Sequence, residues 1–422
     1  MRCLKVSLEY EGNFIRVGEI KGDTPADAVF TYAPEYLSRE NVRPVSISLP
    51  VLKESFSPSQ TKNYFEGLLP EGFTRRSVAR YVHADEDDYL SILSAIGREC
   101  IGAVKIDEEG ASEEEPAYRE LSMAEVSSLA REGAAKSAQL VTKAHLSLAG
   151  ASGKAGLYYD KKAQKWYLPL GTAPSTHIVK QSHVRLKRIV ANELLCMHTA
   201  AKLGLKTAQS FIIDTSGPDE EDVLFAAERY DRVFTDKPKL ICGKAAPVRL
   251  HQEDLAQAMG IAPDEKYERS GGEYLKKVFG ILRDNSADPI EDGLRLWDIC
   301  IFNYLIGNTD NHIKNLSLLY SADMKTIRLA PAYDIISTIA YEESTAQMSL
   351  SIGGEFDIRR ISRDSFEKEA ENIGLGRKLA MNRFDMMSEN FEKALLSAKE
   401  ELEKGQDISG LDDICERILS FR

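Results

Sequence analysis

The sequence predicts an α+β protein in three parts: a small N-terminal α+β subdomain (1–115), a β-rich lobe (116–250) and an all-helical C-terminal lobe (251–422). Short predicted strands occur over residues 3–50 and again from residue 157, and an acidic stretch at 107–115 is a predicted loop or linker between these two regions. Long amphipathic helical patterns fill most of the chain after residue 252. A chain of 422 residues is also too long for one ordinary hydrophobic core.

The N-terminal subdomain begins with a predicted hairpin. Residues 3–8 alternate, the turn signal Glu11-Gly12-Asn13 follows, and an apolar pattern resumes over 14–18. The segment Pro44–Pro50 is predicted to be another strand, bracketed by prolines. Residues 60–98 then change to helical spacing.

The rest of the chain combines strands and helices in a defined order. Strands are expected over 157–160, 165–169, 176–180, 210–213 and 224–228, and helices over 186–203, 271–282, 293–305 and 364–403. Gly204 is placed to cap the first of these helices. In a β-rich lobe followed by a helical lobe, a nucleotide is expected to bind in the cleft between the lobes.

The composition is that of a globular protein in a reducing compartment. Hydrophobic residues make up 43% of the chain and the formal net charge is −12, which argues against broad non-specific binding to nucleic acid. The six cysteines form no C-x-x-C pair, so we expect free thiols and a cytoplasmic location. No signal-peptide core follows Met1, and no apolar run approaches the ~18 residues that span a bilayer.

A dense polar segment, Gly307–Asn315, carries the strongest chemical signal. The five-position spacing of Asp310 and Asn315 lets a carboxylate orient an acceptor hydroxyl while an amide oxygen binds a Mg²⁺ that bridges ATP phosphates. Asp334 follows a predicted hairpin around 323–329 and supplies a second metal ligand. The segment therefore predicts an ATP- and Mg²⁺-dependent phosphotransferase with Asp310 as its catalytic residue.

Lysine and histidine side chains extend this predicted site. Lys314 could offset negative charge on the transferring phosphoryl group, whereas His312 is as well explained by a structural hydrogen bond to the loop. Lys180 ends a predicted strand, like the phosphate-binding lysine of kinases, and Glu193 on the next helix is its natural partner.

A loop of small residues at 147–156 precedes a predicted strand, and its N–H groups could cradle phosphates. It is not a Walker A loop, because Ala155 stands where the metal-binding Ser or Thr would be. A flexible turn is the alternative interpretation.

Together these segments resemble the HipA family of serine/threonine kinases, the toxins of bacterial HipBA toxin–antitoxin modules. The resemblance covers nearly the whole chain and implies a kinase-like two-lobe fold. Its motifs are 65–72, 95–104, 146–151, 176–180, 228–232, 251–254, 307–315 with Ser317, and Tyr333-Asp334.

The resemblance implies a role for each position of the site. Asp310 would be the catalytic aspartate, Asn315 and Asp334 the Mg²⁺ ligands, and Lys180 the ATP-phosphate lysine. The backbone of 228–230 would bind adenine as a hinge. The further ATP contacts that the resemblance implies are Ala149, Gly150, Ala151, Ser152, Gly153, Lys154, Glu228, Arg229, Tyr230, His312, Ile313, Lys314 and Tyr333.

Ser147 aligns with the serine that family members autophosphorylate, an event that ejects the phosphate-covering loop and silences the kinase. A phosphoserine adds about −1.5 to −2 charges and would fit poorly beside ATP phosphates. The family loop continues with Gln after Ala-Gly-Ala, whereas this chain has Ser152-Gly153, so Ser152 is a competing phosphorylation site.

Family members phosphorylate an aminoacyl-tRNA synthetase, typically glutamate–tRNA ligase, and bind a HipB-like DNA-binding antitoxin. The resemblance thus implies a growth-inhibiting kinase that reaches DNA only through its antitoxin and has no membrane partner. Two alternatives stay open. One is a small-molecule or lipid kinase, because D-x-x-x-x-N with a downstream Asp recurs in those groups. The other is a catalytically inactive protein that binds partner and DNA.

Overall fold

The computed structural model describes residues 1–40, 42–111, 114–143, 147–149, 153–181, 186–215, 222–405 and 408–421. It divides into two compact units. The first comprises Met1–Gln181, Ile213–Pro263 and Leu319–Thr326, and the second comprises Ser182–Ile212, Asp264–Leu318 and Ile327–Arg422. The α+β class is confirmed, while the three-part division at 115 and 250 stays a prediction. Within the described ranges, no helix is long and apolar enough to cross a membrane.

A four-stranded antiparallel sheet opens the first unit. Its strands are β1 (Arg2–Tyr10), β2 (Asn13–Gly22), β3 (Val29–Tyr32) and β4 (Val104–Glu108), in the order β3-β2-β1-β4. The predicted hairpin is confirmed, because Tyr10 pairs with Asn13 across a two-residue turn. Gly12 in that turn has φ 85°, a conformation that glycine adopts without strain.

Short helices follow β3 and confirm the helical prediction for 60–98. They are α1 (Pro34–Leu37), α2 (Pro58–Phe65), α3 (Gly72–Tyr81) and α4 (Tyr89–Ile96), with a 3-10 helix at Glu66–Leu68. A capping box starts α2: the Ser57 side chain accepts from the Gln60 N–H, and the Gln60 side chain accepts from the Ser57 N–H.

The strand predicted at Pro44–Pro50 is wrong, because this segment forms turns. Its polar groups bond to side chains instead of to a neighbouring strand. The Ser46 hydroxyl and the Ile47 N–H both donate to the buried carboxylate of Glu253. The flanking prolines also lack the N–H groups that a strand ladder needs.

A six-stranded sheet follows, most of which lies in the first unit. Its strands are β5 (Ala117–Glu120), β6 (Lys154–Asp160), β7 (Lys165–Leu170), β8 (His177–Gln181), β9 (Ser210–Asp214) and β10 (Val223–Glu228), in the order β5-β7-β6-β8-β10-β9. The five strands expected between 157 and 228 are therefore confirmed. The last residues of β9 belong to the first unit.

One long helix, α5 (Met123–Lys143), was missing from the sequence-based prediction. It starts with a capping box in which the Ser122 hydroxyl accepts from the Glu125 N–H and the Glu125 carboxylate accepts from the Ser122 N–H. Small and polar residues in its middle dilute the apolar repeat. The S-x-x-E pattern was thus the stronger signal of this helix.

The first unit ends with short strands and one short helix. These are β11 (Arg232–Val233), β12 (Lys239–Ile241), β13 (Lys244–Ala246), β14 (Val248–Arg249), β15 (Gln252–Asp254) and α7 (Leu255–Met259). β11 pairs with β14, and β12 pairs with β13. A 3-10 helix follows at Pro263–Glu265.

The second unit is mainly helical. Its helices are α6 (Ile189–Lys202), α8 (Tyr274–Asn285), α9 (Pro289–Leu305), α10 (Arg363–Ile373), α11 (Arg377–Gly405) and α12 (Leu411–Ser420), with a 3-10 helix at Ile313–Asn315. Gly204, with φ 85°, follows the end of α6 as expected. The helix predicted over 364–403 is two helices, because Gly374 at φ 76° ends α10. On α9, the buried Trp297 donates its Nε1–H to Ala380 O at 3.1 Å.

Strands after residue 251 correct the all-helical description of the C-terminal lobe. Besides β15 they are β16 (Ser317–Tyr320), β17 (Ile327–Leu329), β18 (Gln347–Ile352) and β19 (Glu355–Asp357). Each has only three to six residues, too short to stand out beside long helical repeats. β16 and β17 form the arms of the hairpin predicted around 323–329.

Candidate active site

The segment Gly307–Asn315 follows α9 directly, and its first residues fix its backbone. Gly307 has φ 70°, and a Cβ there would lie 2.2 Å from Ile339 Cγ2, so only glycine fits. The buried Asn308 donates its Nδ2–H to Asn303 Oδ1 at 2.7 Å. Its Oδ1 accepts from the Asp310 N–H at 3.0 Å. The backbone of Asp310 is therefore held by a side chain that α9 itself anchors.

Both backbone polar groups of Thr309 are hydrogen-bonded. Its N–H donates to Thr338 Oγ1 at 2.7 Å. Its carbonyl accepts from the N–H of Ser349 at 2.9 Å and from the Ser349 hydroxyl at 2.7 Å. Strand β18, which carries Ser349, thus supports the residue immediately before Asp310.

Asp310 and Asn315 are brought together by a local turn. Asn315 donates its Nδ2–H to Asp310 O at 3.0 Å, and the His312 N–H donates to the same carbonyl at 2.9 Å. Both side chains are half-buried. Because Nδ2 donates to Asp310 O, the orientation of the Asn315 amide is fixed, as a metal ligand requires.

A tyrosine that sequence analysis missed contacts the Asp310 side chain. The Tyr267 hydroxyl donates to Asp310 Oδ1 at 3.0 Å. The Tyr267 ring also packs edge-to-face on His312, with ring centroids 5.3 Å apart. His312 is buried, and both interpretations of this residue stay predictions.

Tyr333 joins the region before Asp334 to the segment Gly307–Asn315. Its hydroxyl donates to Lys314 O at 2.9 Å and is 2.6 Å from the Ser317 hydroxyl. Lys314 itself is buried, as is Ile313. Tyr333 therefore lies beside Ile313 and Lys314, the predicted ATP contacts in the same segment as Asp310.

Asp334 has a left-handed backbone with φ 57°, which is uncommon for a residue other than glycine. Such strained positions concentrate at functional sites. The side chain is half-buried. Asn192 on α6, another residue that the sequence did not single out, holds the chain just beyond it through Ser337.

The donor atoms of Asn315 and Asp334 fit Mg²⁺. Both provide oxygen ligands, the kind that this hard cation prefers. Across the described residues, no group of three or more His, Cys, Asp or Glu side chains could hold a metal ion. Two protein ligands supplemented by phosphate oxygens and water match the usual protein share of a nucleotide-bound Mg²⁺.

In the first unit, two lysines stand directly opposite each other on neighbouring strands. Lys154 on β6 pairs with Lys180 on β8, and Lys180 pairs with Phe225 on β10. Lys154 is 8% exposed and Lys180 is 9% exposed. The Lys180 ammonium lies 5.3 Å from the Phe225 ring centroid. Residues directly opposed on neighbouring antiparallel strands carry their side chains on the same face of the sheet, so the two lysines share one face.

The predicted hinge follows β10. Glu228 forms an ion pair with Lys161, and Tyr230 is half-buried. The Arg229 N–H donates to Thr176 O at 2.9 Å, and its guanidinium binds Asp231 through two bonds of 2.9 and 2.7 Å. Any adenine contact at Arg229 must therefore use its carbonyl oxygen.

The Arg229 guanidinium belongs to a buried cluster of charged side chains with Glu99 at its centre. Burial alone would raise the pKa of Glu99, but Arg249, Arg232 and Arg229 outweigh it and lower that pKa to about 2. The cluster is therefore ionised and structural, and the Arg229 side chain is not a nucleotide contact.

Ser147 is completely enclosed, with 0% of its surface exposed. Its hydroxyl donates to Leu68 O at 2.6 Å and its N–H donates to Glu99 O at 2.7 Å. Ala149 is half-buried, and Gly153 is buried. The remaining predicted loop contacts, Gly150, Ala151 and Ser152, lie outside the described residues.

Comparison with known proteins gives consistent matches along the chain. The family model of the HipA-like C-terminal domain matches residues 146–395, and that of the HipA N-terminal domain matches residues 11–107. The Sinorhizobium fredii protein Y4mE is 31% identical over 392 residues, which cover 91% of this chain and 90% of Y4mE. The serine/threonine-protein kinase toxin HipA of Shewanella oneidensis is 26% identical over 404 residues, covering 92% of this chain and 88% of that protein.

A solved structure shares the fold. It is the Shewanella oneidensis complex of HipA, HipB and operator DNA, in which the matching chain has a TM-score of 0.78 and 22% identity. The match covers 99% of this chain and 96% of the other. The similarity therefore extends across both units.

Proposed function

The chain belongs to the HipA family, and we propose that it is an ATP- and Mg²⁺-dependent protein serine/threonine kinase that acts as a growth-inhibiting toxin. The observation that carries this proposal is the 3.0 Å hydrogen bond from Asn315 Nδ2 to Asp310 O. This bond holds the Asn315 side chain against the backbone of Asp310, which supports the proposed roles of Asp310 in orienting the acceptor and of Asn315 in binding the metal.

In the proposed reaction, Asp310 binds and orients the hydroxyl of an acceptor Ser or Thr. The hydroxyl oxygen forms a bond to the γ-phosphorus, the bond from that phosphorus to the β–γ bridging oxygen breaks, and ADP leaves. The acceptor proton passes to the Asp310 carboxylate. Mg²⁺ held by Asn315 and Asp334 would neutralise charge on the phosphate oxygens.

Positive side chains of the protein bind the phosphates in this proposal. Lys180 and Lys154, which form one cross-strand pair, contact phosphate oxygens. Lys314 stabilises charge on the transferring group. The backbone of 228–230 contacts adenine, and the loop 149–154 covers the phosphates.

Autophosphorylation at Ser147 is the proposed means of silencing. The complete burial of its hydroxyl supports this, since a phosphoryl group cannot be accommodated where Leu68 O lies 2.6 Å away. Phosphorylation would therefore prevent Ser147 from packing against Leu68 O, and would withdraw the adjoining loop 149–154 from ATP. Ser152 stays the competing site.

The proposed partners are a HipB-like antitoxin and a protein substrate. An aminoacyl-tRNA synthetase, with glutamate–tRNA ligase first, is the substrate that the family resemblance favours. The formal net charge of −12 supports indirect contact with DNA, through the antitoxin. The six free thiols support a cytoplasmic location.

Phosphoproteomics after induced expression tests this function, with Asp310→Ala as the comparison. We expect growth arrest and a small set of new phosphoserine or phosphothreonine sites with the wild type, and neither with the variant. Phosphate transfer confined to small molecules would favour a small-molecule kinase. Growth arrest that persists in Asp310→Ala would favour a binding protein without catalysis.

A further inference from the structure

The Tyr267 hydroxyl donates a hydrogen bond to the Asp310 carboxylate, at 3.0 Å from Oδ1. Tyr267 is 47% exposed, so burial of its ring does not account for its position. It lies 43 residues from Asp310 in sequence, in the connection between α7 and α8. Its place beside the carboxylate must be set by its neighbours.

A closed set of hydrogen bonds fixes that place. The N–H of Glu268, the residue after Tyr267, donates to Ser349 O at 2.9 Å. Ser349 in turn donates to Thr309 O, through its N–H at 2.9 Å and its hydroxyl at 2.7 Å. One residue of β18 thus holds both the neighbour of Tyr267 and the neighbour of Asp310.

The Glu268 side chain reinforces this arrangement. It is buried, and its carboxylate accepts from the N–H of Tyr274 at 3.1 Å and from the N–H of Ser351 at 2.8 Å. The start of α8 and strand β18 are thereby joined at the residue next to Tyr267. The Tyr267 ring also rests edge-to-face on His312, two residues beyond Asp310.

We propose that Tyr267 is a positioning residue for phosphoryl transfer, which holds the Asp310 carboxylate in the rotamer that receives the acceptor hydroxyl. A carboxylate can rotate about its Cβ–Cγ bond, and a donor fixed on one oxygen sets the direction of the other. A neutral phenol orients the group and weakens its basicity less than an ammonium would, because it brings no positive charge. This inference rests on the proposed kinase function.

Such a role affects the rate of the chemical step and not the binding of ATP. Loss of a hydrogen bond to a charged group corresponds to a rate decrease of roughly tenfold or more when the bond orients the reacting group. Tyr274 provides a matched control. It is the first residue of α8 and its hydroxyl donates to Glu265 O at 3.0 Å, so Tyr274→Phe removes a phenolic hydrogen bond that does not involve Asp310.

The experiment measures single-turnover transfer from ATP to a protein acceptor with the full-length protein. We expect Tyr267→Phe to lower the rate roughly tenfold or more while KM for ATP and the melting temperature match the wild type, and Tyr274→Phe to match it throughout. In an Asp310→Asn background, Tyr267→Phe should cause no further loss, because the two side chains act as one unit.

Two results would overturn the inference while leaving the kinase function intact: a Tyr267→Phe rate within twofold of an active wild type, or equal losses for Tyr267→Phe and Tyr274→Phe. Additive losses of Tyr267→Phe and Asp310→Asn would also overturn it. Absence of any transfer by the wild type would instead overturn the proposed function, and this inference with it.

Discussion

Asn192 and Ser337 exchange two hydrogen bonds in the second unit: Asn192 Nδ2–H donates to Ser337 O at 2.9 Å, and the Ser337 N–H donates to Asn192 Oδ1 at 2.8 Å. Both residues are completely buried. The side-chain amide of Asn192 therefore satisfies both backbone polar groups of Ser337, as a neighbouring strand would. Ser337 lies three residues after Asp334. This contact connects α6 to the proposed metal-binding aspartate.

The first prediction concerns this contact. Asn192→Ala leaves the N–H and C=O of Ser337 buried without their partner, so we expect a loss of about 2–4 kcal/mol in the free energy of unfolding. Transfer activity should also fall, because Asp334 loses its support. Urea denaturation measures the first effect. The control is Asn390→Ala, whose amide donates to Met386 O on an exposed helix face; equal destabilisation by both variants would contradict the account.

The second prediction concerns the paired lysines. Replacing Lys154 or Lys180 by Met removes a charged donor to phosphate, so we expect the Kd for ATP to rise by roughly 10- to 100-fold. Isothermal titration calorimetry with Mg²⁺ and ATP measures it. Lys165→Met is the matched control, because Lys165 lies on β7 of the same sheet and pairs with Glu120 at the surface. Unchanged ATP affinity in both Lys154→Met and Lys180→Met would refute the phosphate role.

The third prediction concerns Ser147. Ser147→Asp puts a carboxylate against Leu68 O in a site with no solvent access, so we expect a lower melting temperature and loss of ATP binding. Ser147→Ala loses one hydrogen bond, about 1 kcal/mol, and should keep transferring phosphate to other proteins while losing its own phosphopeptide. Differential scanning fluorimetry with and without ATP separates the two variants.

The fourth prediction concerns the pH dependence of stability. Burial raises the pKa of Glu253 to about 7, although Ser46, Tyr320 and Ile47 donate to its carboxylate and lower it in part. The folded pKa lies above the usual value of 4.5, so this group's stabilisation is complete below that value and is lost as the pH rises through about 7. We expect Glu253→Gln to remove this dependence.

The measurement is the free energy of unfolding of both proteins at several pH values from 4.5 to 8. Between pH 4.5 and about 7 the difference in unfolding free energy between Glu253→Gln and the wild type should move in favour of the variant by roughly 1 kcal/mol per pH unit, and above that it should level off. A difference that is constant with pH would show that Glu253 does not titrate in it.

Local sequence patterns predicted the parts of the molecule that local forces build. Strands β6, β7 and β8 contain aromatic or β-branched residues and are separated by turn residues, so their positions followed from the sequence. The turn that unites Asp310 with Asn315 spans only five positions. Its residues could therefore be named before their geometry was known, together with the oxygen ligands that suit Mg²⁺.

Distant partners account for what the sequence could not predict. Pro44–Pro50 bonds to Glu253, about two hundred positions away, and no local pattern reveals that its polar groups are satisfied there. Tyr267 contacts Asp310 across 43 positions, where Ser349 bonds to the neighbours of both residues. The pairing of Lys154 with Lys180 likewise depends on the register of strands β6 and β8, which is set in the folded sheet.

Transfer of labelled γ-phosphate from ATP to protein tests the central claim most directly, with purified wild-type protein and the Asp310→Asn variant compared at saturating Mg²⁺ and ATP. Asparagine keeps the shape of the side chain but cannot accept the acceptor proton. We expect label on protein serine or threonine with the wild type and a loss of at least about 100-fold in the variant. Equal labelling by the two proteins would contradict the account.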